Sequence, residues 1–424
     1  KRVQFEVSDI STSGFSVYEN DGEGTLMAGM IIPDMVITFA HSMKMSCSAQ
    51  VIYRLREDRG LVRCGFAILD MGIQDYSRLT HLLSCAMDAH SHVSTEVDVD
   101  ALWEFFFKSG FIYPKKYGLI QSHRESFKET YQKLYQQCPE VARHFTYQQN
   151  GRIYGHIAMV RAYERTWMIH HHAATALEHK RAGLVVLKQI MHYLNDMHRL
   201  PSSKMDYVMS YFRPENKFPE RVFGGFARIS GDPRTCSMDL FSYLPYTRLS
   251  LSSMLPKGWE LGESTEMDIW ELNRFYTHRS GGLLLDAMAL EWEDSRGRSL
   301  ETDFMKAGFF RKQRAYSLRR DGRLAAVLVV DQSDLGFNLS ELLNDIKIFV
   351  INGAALPWHI LSIGVSRLTA DFRMHRVPVL FYPFDYVERE EIPYEKQYQA
   401  WVLNVRHGAE YMEYMRKKFR IKYE

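Results

Sequence analysis

The chain has 424 residues, 46% of them hydrophobic, enough to bury several cores, and at roughly 100 to 200 residues per domain its length predicts two to four domains. Its 53 lysines and arginines stand against 51 aspartates and glutamates, a formal charge of +2 without a long block of one sign, which argues against a nucleic-acid polymer as partner and against a polybasic membrane arm. No run of about 18 uninterrupted apolar residues exists, so no membrane span is expected. Cys47, Cys64, Cys85, Cys138 and Cys236 are odd in number and scattered, which fits a reducing, cytoplasmic setting with each thiol a small packing residue. No signal-like start is visible, and any segment ahead of Lys1 lies outside this numbering.

Residues 1 to about 85 read as short strands: "RVQFEV", "GFSVYE", "GTLMAGMII", "DMVITFAHSMKM", "AQVIYRLRE" and "LVRCGFAIL" are β-branched or aromatic and separated by turn residues. Strands at this spacing predict a small barrel. "QDYSRLTHLLSCAMDA" then carries apolar residues at helical spacing, and the polar "HSHVSTEVDVD" marks a boundary.

From about residue 100 the pattern turns to mixed α/β. Helices near "DALWEFFFKSG" and "RESFKETYQKLYQQC" precede a hairpin around Asn150-Gly151, then the strand "TWMIHHHAAT", the amphipathic helix "KRAGLVVLKQIMHYLNDMH", and the strands "MDYVMSYF" and "TCSMDLFSYL". A third block repeats this order from about 257. Helices "EMDIWELNRFYTHR" and "LETDFMKAG" lead to a hairpin around Asp321-Gly322, the strand "DIKIFVI", the helix "PWHILSIGVSRLTADFRMH" and the strand "VPVLFYPFDY". The shared order suggests an internal duplication. The expected architecture is multidomain α+β, with units at 1–90, 98–250 and 255–424.

Asp9-Ile10-Ser11-Thr12-Ser13-Gly14 reads in two ways. One is an ordinary Asx or Ser turn in a hairpin. In the other, Asp and Ser side chains offer hydrogen bonds to a guanine edge while Gly permits close approach. The stretch resembles the D/NxSxxG motif of PilZ domains, the bacterial cyclic di-GMP receptor barrels, with Gly65-Phe66 on a late strand and "IQDYSRLTHLL" as the helix that plugs such barrels. The resemblance covers roughly the first 85 residues and implies cyclic di-GMP as ligand, bound through Arg2, Asp9, Ser11 and Gly14. The family's RxxxR element is represented only by Arg2 ahead of Asp9, and the rest of it is expected upstream of Lys1. Arg54, Arg56 and Arg63 are the other cations on these strands, read most simply as exposed strand charges.

The second block resembles the GNAT acyltransferases, whose acyl-CoA binds where two parallel strands splay apart and whose pyrophosphate sits at a helix N-terminus. Lys180-Arg181-Ala182-Gly183-Leu184-Val185 approximates the family's R/QxxGxG/A, with Val185 departing at the last place. "NKFPERVFGGF" resembles the N…GF segment, with Asn216 opening a short helix, Gly225-Phe226 entering the final hairpin, and Phe223 where many members carry a tyrosine acid. The resemblance implies Lys180, Arg181, Gly183 and Asn216 as acyl-CoA contacts, with Tyr207 or Tyr211 as substitute acid. His170-His171-His172 raises a base: with period-2 alternation His170 and His172 share a face and either could deprotonate an amine near neutral pH, and Glu178 is a further candidate. The alternative is histidines lining a strand end, tyrosines packing on strands, and a helix-start carboxylate. No spacing supplies a metal site.

The third block keeps the order of elements but lacks the basic glycine loop after "DIKIFVINGAALPW" and any Gly-Phe pair after "VLFYPFDY". It reads as a degenerate second copy, as in tandem GNAT proteins, and "EYMEYMRKKFRIKY" as a surface helix with a basic last turn. Two functions follow. One is a cyclic di-GMP-responsive, GNAT-type N-acyltransferase acting on an amine acceptor. The other is a non-catalytic cyclic di-GMP receptor whose GNAT-like blocks hold a partner protein.

Overall fold

The computed structural model describes residues 3–39, 42–57, 60–93, 97–176, 182–247, 254–290, 299–340 and 342–420. Its strands are β1 (Val7–Ile10), β2 (Gly14–Asn20), β3 (Ile31–Phe39), β4 (Met43–Arg56), β5 (Leu61–Met71), β6 (Ser91–Val93), β7 (Ala142–Gln149), β8 (Arg152–Tyr163), β9 (Thr166–Ala174), β10 (Tyr207–Phe212), β11 (Cys236–Thr247), β12 (Trp259–Glu263), β13 (Arg311–Arg320), β14 (Arg323–Ser333), β15 (Asp345–Val350), β16 (Arg376–Tyr382) and β17 (Lys396–Asn404). The helices are α1 (Ile73–Met87), α2 (Val99–Lys108), α3 (Pro114–Ile120), α4 (Arg124–Thr130), α5 (Ala182–Met197), α6 (Lys217–Pro219), α7 (Gly225–Ser230), α8 (Glu266–Arg279), α9 (Leu284–Met288), α10 (Ser299–Lys306), α11 (Trp358–Leu368), α12 (Phe384–Arg389) and α13 (Gly408–Phe419). Among the described residues no helix is long and apolar enough to cross a membrane.

Local chemistry explains the best-defined of these. Asn150 and Gly151, like Asp321 and Gly322, both take positive φ, the turn whose twist matches the two strands of a hairpin, so β7–β8 and β13–β14 form where an Asn-Gly and an Asp-Gly pair stand. Asp98 caps α2 by accepting from the N–H groups of Asp100 and Ala101, and Thr265 with Asp268 closes a reciprocal cap on α8. Along α5, Val186, Leu187, Ile190, Met191, Leu194 and Met197 fall on one stripe and are buried.

The first five strands form one sheet, ordered β1-β2-β5-β4-β3. The expected barrel is not formed: among the described residues β1 and β3 are unpaired edges, and the sheet stays open. The reason is what covers its apolar face. Phe15, Val17, Met45, Val51, Cys64 and Phe66 belong to one hydrophobic cluster with Tyr76 and Leu79 of α1, Phe145 and Trp167 of β7 and β9, and Ile190 and Tyr193 of α5. The sheet thus buries its inner face against its neighbour, with α1 as the intervening layer rather than a plug, and gains nothing by closing on itself. Within it, the expected strand "GTLMAGMII" begins only at Ile31.

The other twelve strands make a single sheet, β12-β13-β14-β15-β16-β11-β17-β10-β9-β8-β7-β6. Read from the two ends, the halves correspond. Each has antiparallel strands followed by one parallel pair, β9–β10 in the first and β15–β16 in the second, with a helix, α5 or α11, between its members. The final strands are exchanged: β11 of the first half pairs with β16 of the second, β17 of the second pairs with β10 of the first, and β11 pairs with β17. The strand β17 is absent from the sequence expectations. Gly225-Phe226 lies in α7 rather than entering a hairpin, "PFDY" turns helical as α12, and α13 buries Tyr411, Tyr414 and Met415 rather than lying wholly on the surface.

Candidate functional site

Parallel pairing between β9 and β10 runs from Thr166↔Tyr207 to Ile169↔Ser210 and stops there. Both strands continue. His170 remains paired to β8, while Tyr211 and Phe212 remain paired to β17, so the two strands part and leave main-chain edges facing the gap. The helix α5 begins just beyond, and a Cβ on Gly183 would stand 3.0 Å from the Ala174 methyl, so the helix start is pressed onto the end of β9. Glu178, Lys180 and Arg181, three of the expected site residues, lie outside the described residues.

The second half lacks this opening. There β15 pairs with β16 up to Phe349↔Tyr382, the last residue of β16. The start of α11 is already engaged, since the Trp358 N–H donates to Glu390 Oε2 at 3.0 Å. A carboxylate of the chain itself sits where a helix N-terminus would receive an anion. Arg389 closes the neighbourhood: its Nη2 would lie 2.5 Å from a Cβ on Gly353.

At the parting, β9 carries a bulge. The register with β8 shifts between His156↔Ala173 and Ala158↔His170, so His171 and His172 face the single residue Ile157, and His171 takes φ 52. This overturns the expected alternation. His170 and His171 fall on the same side and stack at 3.8 Å, whereas His172 points to the other side and donates from Nε2 to the Gly183 carbonyl at 3.0 Å. Two tyrosines of the wide helical turn Tyr131–Tyr135 hold the stacked pair: Tyr135 OH meets His170 Nε2 at 2.8 Å and Tyr131 OH bonds His171 Nδ1. His156 Nδ1 donates to the His171 carbonyl at 2.9 Å, which fixes the bulge from β8.

Burial, helped by Lys116, pushes His170 down to about 3, and burial pushes His171 and His156 well below the usual histidine range and His172 down as well. These imidazoles are neutral. The expectation of a histidine that deprotonates an amine near neutral pH meets a steep gradient: between an ammonium near 10 and an imidazolium near 3 lie about seven units, or about 9 kcal/mol.

Tyr211 is the first β10 residue past the parting. Its hydroxyl is buried with no hydrogen-bond partner among the described residues, its ring lies 6.5 Å from that of Tyr398, and burial pushes the phenol up, against the opposing pull of Lys347. Tyr207, half-buried at the start of the same strand, is pushed up by burial. Asn216 caps α6 by accepting from the Phe218 N–H. Phe223 is core, its ring 4.8 Å from that of Trp401 and 6.0 Å from that of Phe212 at the end of β10.

The opening turn is built as the sequence suggests. Ser11 N–H donates to the Gly14 carbonyl at 2.7 Å, Ser11 Oγ accepts from the Gly14 N–H at 3.1 Å, and a Cβ on Gly14 would stand 2.2 Å from the Phe66 carbonyl oxygen. Asp9 accepts from Ser16 Oγ and Ser8 Oγ at 3.0 Å each and pairs with Arg63, and these contacts hold its carboxyl below the usual range. Arg54 and Arg56 pair with Glu19 and Asp21. Arg2 lies outside the described residues. Two features were not foreseen. Tyr53 lies flat over Gly65, whose Cβ would come within 2.1 Å of that ring, and Thr12 Oγ1 donates to Asp196 Oδ2 in the last turn of α5 at 2.5 Å.

No known family model matches the chain, and no curated protein matches it. Among solved structures, it is similar to a GCN5-related N-acetyltransferase from Sphaerobacter thermophilus at 10% identity, over 74% of this chain and 96% of that one, with a TM-score of 0.40. It is also similar to a tandem GNAT protein from the clavulanic acid biosynthesis pathway at 11% identity, over 74% of this chain and 98% of that one, with a TM-score of 0.37. At such TM-scores the likeness adds no argument to the strand order and the site geometry above.

Proposed function

We propose that the chain is an N-acyltransferase that takes an acyl-CoA at the parting of β9 and β10 and passes the acyl group to an amine. The single observation that carries this reading is the parted parallel pair with α5 beginning at its mouth. Free main-chain edges there can hydrogen-bond an extended, amide-bearing chain as a further strand would. The start of α5, with Gly183 pressed close and Lys180 and Arg181 in the preceding sequence, suits a pyrophosphate. His172 ties the helix start to β9, and neutral His170, held by Tyr135, stands at the point of parting. The second half serves as wall and partner strand, its own helix start being filled by Glu390. Calorimetric titration with acetyl-CoA tests the reading: one equivalent bound, lost in Gly183→Asp, is the expected result. Absence of binding would favour a scaffold that holds a partner protein.

A second element of the proposal is control by cyclic di-GMP at the opening turn. The contact between Thr12 and Asp196 favours it, because it places the turn against the far end of the helix whose start faces the parting. Asp9 would exchange its Arg63 and Ser16 contacts for a guanine edge, and the released Arg63 would face a phosphate. Saturable binding of cyclic di-GMP that disappears in Asp9→Ala/Ser11→Ala is expected, and no binding would reduce the stretch to a hairpin turn.

A further inference from the structure

The helix α13, which follows β17 in the second half, docks on the first half. Tyr411 OH donates to the Val222 carbonyl at 3.1 Å and Tyr414 OH donates to the Arg221 carbonyl, both in the wide turn Glu220–Gly224 that follows α6. The start of α13 lies beside the last turn of α5: a Cβ on Gly408 would stand 3.7 Å from Asn195 Oδ1, and Tyr411 and Met412 line one cleft with Met191 and Leu194. Its final turn reaches the other end of α5. The Phe419 ring stands 6.4 Å from that of Phe218 on α6, Phe218 stands 5.3 Å from His172, and His172 is bonded to the Gly183 carbonyl at the start of α5. The two helices therefore run antiparallel, and the carboxyl end of α13 lies at the mouth where α5 begins.

That end is basic and exposed, through Arg416, Lys417, Lys418 and Arg420. A helix C-terminus carries a partial negative charge, and cations in its last turn ordinarily offset it. Arg416 and Lys417 meet that need and are engaged, both with Glu413, at 2.7 and 3.3 Å. Lys418 is placed differently. It follows Tyr411 by seven residues and Tyr414 by four, so it continues the stripe by which α13 is buried. Yet Lys418 is exposed, with no ion-pair partner among the described residues, so this stripe ends in an uncompensated ammonium at the mouth.

We propose that the second half completes the donor site, with Lys418 receiving the 3′-phosphate of the acyl-CoA. This rests on the acyltransferase reading and deepens it. With the pyrophosphate at the start of α5 and the thioester arm in the gap between β9 and β10, the adenosine is left outside the sheet, on the side flanked by α6 and α13. The ribose phosphate is the one anionic group of the coenzyme beyond the pyrophosphate. Packed helices stand roughly 8 to 10 Å apart axis to axis, a gap that the four-carbon stem of a lysine spans. The donor is thus held tightly only once β17 has brought α13 onto the first half, which gives the second half a task although it has no parted strands of its own.

Calorimetric titration of the full chain with acetyl-CoA and with 3′-dephospho-acetyl-CoA, at one ionic strength, tests the assignment. The unaltered protein should bind acetyl-CoA about 10-fold more tightly than the dephospho form. Lys418→Gln should erase that preference by weakening acetyl-CoA about 10-fold while leaving the dephospho form unchanged. Lys417→Gln, which removes a charge engaged by Glu413, should alter neither. A preference that persists in Lys418→Gln, an equal loss for both coenzymes, or the same loss in Lys417→Gln overturns the proposal. A chain that binds neither coenzyme sinks the acyltransferase reading and this inference with it. A chain that binds both alike sinks the role of Lys418 alone.

Discussion

Replacing Lys347 by methionine is the sharpest test of how the two halves are held together. Its ammonium is fully buried and lies 2.9 Å from Asp331 Oδ2 and 2.5 Å from Asp345 Oδ1. Asp331 also accepts from Tyr163 OH, at the end of β8 in the first half, and Arg311 bonds the Ala162 carbonyl beside it, so these charges sit on the seam between the halves. At an effective dielectric of about 20, one such pair at 2.9 Å is worth about 6 kcal/mol before desolvation is subtracted. Removing the cation leaves two buried carboxylates with Arg311, 3.5 Å from Asp331, as the neighbouring cation among the described residues, and the expected net loss is about 3 to 5 kcal/mol. The loss depends on pH. Burial already pushes Asp345 up to about 6, against the pull of Lys347, so the native state binds more protons than the unfolded chain and stability falls as pH rises from about 4 to about 6. Without Lys347 that rise is larger, so acidification should restore stability by as much as about 1.4 kcal/mol per pH unit. Urea unfolding followed by tryptophan fluorescence at neutral and mildly acidic pH measures both effects, and Lys347→Met/Asp345→Asn should lose less than the single variant. A single variant weakened by less than about 1 kcal/mol, or equally weakened at both pH values, would refute the reasoning.

Gly14→Ala should destabilise the amino-terminal sheet by about 1 to 3 kcal/mol in any ligand state, because its methyl would meet the rigid Phe66 carbonyl at 2.2 Å. A thermal melt without nucleotide checks this, and the outcome decides whether that variant is a clean probe of binding. Glu390→Gln should leave the acetyl-CoA stoichiometry at one per chain, since the charge it removes caps α11 in a half without parted strands. A second equivalent in calorimetry would show that the carboxylate alone excluded it. Thr12→Ala should cost no more than about 1 kcal/mol of stability yet speed hydrogen exchange at the opening turn, whose tie to Asp196 it removes.

The hairpins at Asn150-Gly151 and Asp321-Gly322 were legible because a two-residue turn with positive φ is written in the residues that form it. The repeated order of elements was legible for the same reason, through the helical stripe of α5 and the apolar runs of β14 and β15. What escaped depends on partners far away in sequence. "KQYQAWVLN" mixes polar alternation with an apolar run, and nothing within it says that it pairs with β10 and β11. Whether the amino-terminal strands close into a barrel depends on what covers their inner face, and that cover comes from α1 and α5. The three histidines are visible in sequence, but the bulge that turns His171 to the side of His170 is set by the donor on His156. The burial of Asp239 and Lys347 is not written in the sequence around them, because an acidic or basic residue within a strand ordinarily marks a solvated face.

The exchange of β11 and β17 bears on how the chain is made. When the ribosome has completed β10 and β11, the neighbour of both is still to be synthesised, because β17 begins only at Lys396. Until then the growing polypeptide carries two apolar strands, each with an unsatisfied edge, a state prone to pair with other chains. Fragments that stop short of Lys396 should collect in inclusion bodies, and the native sheet can be sealed only after residues 396–404 have been made.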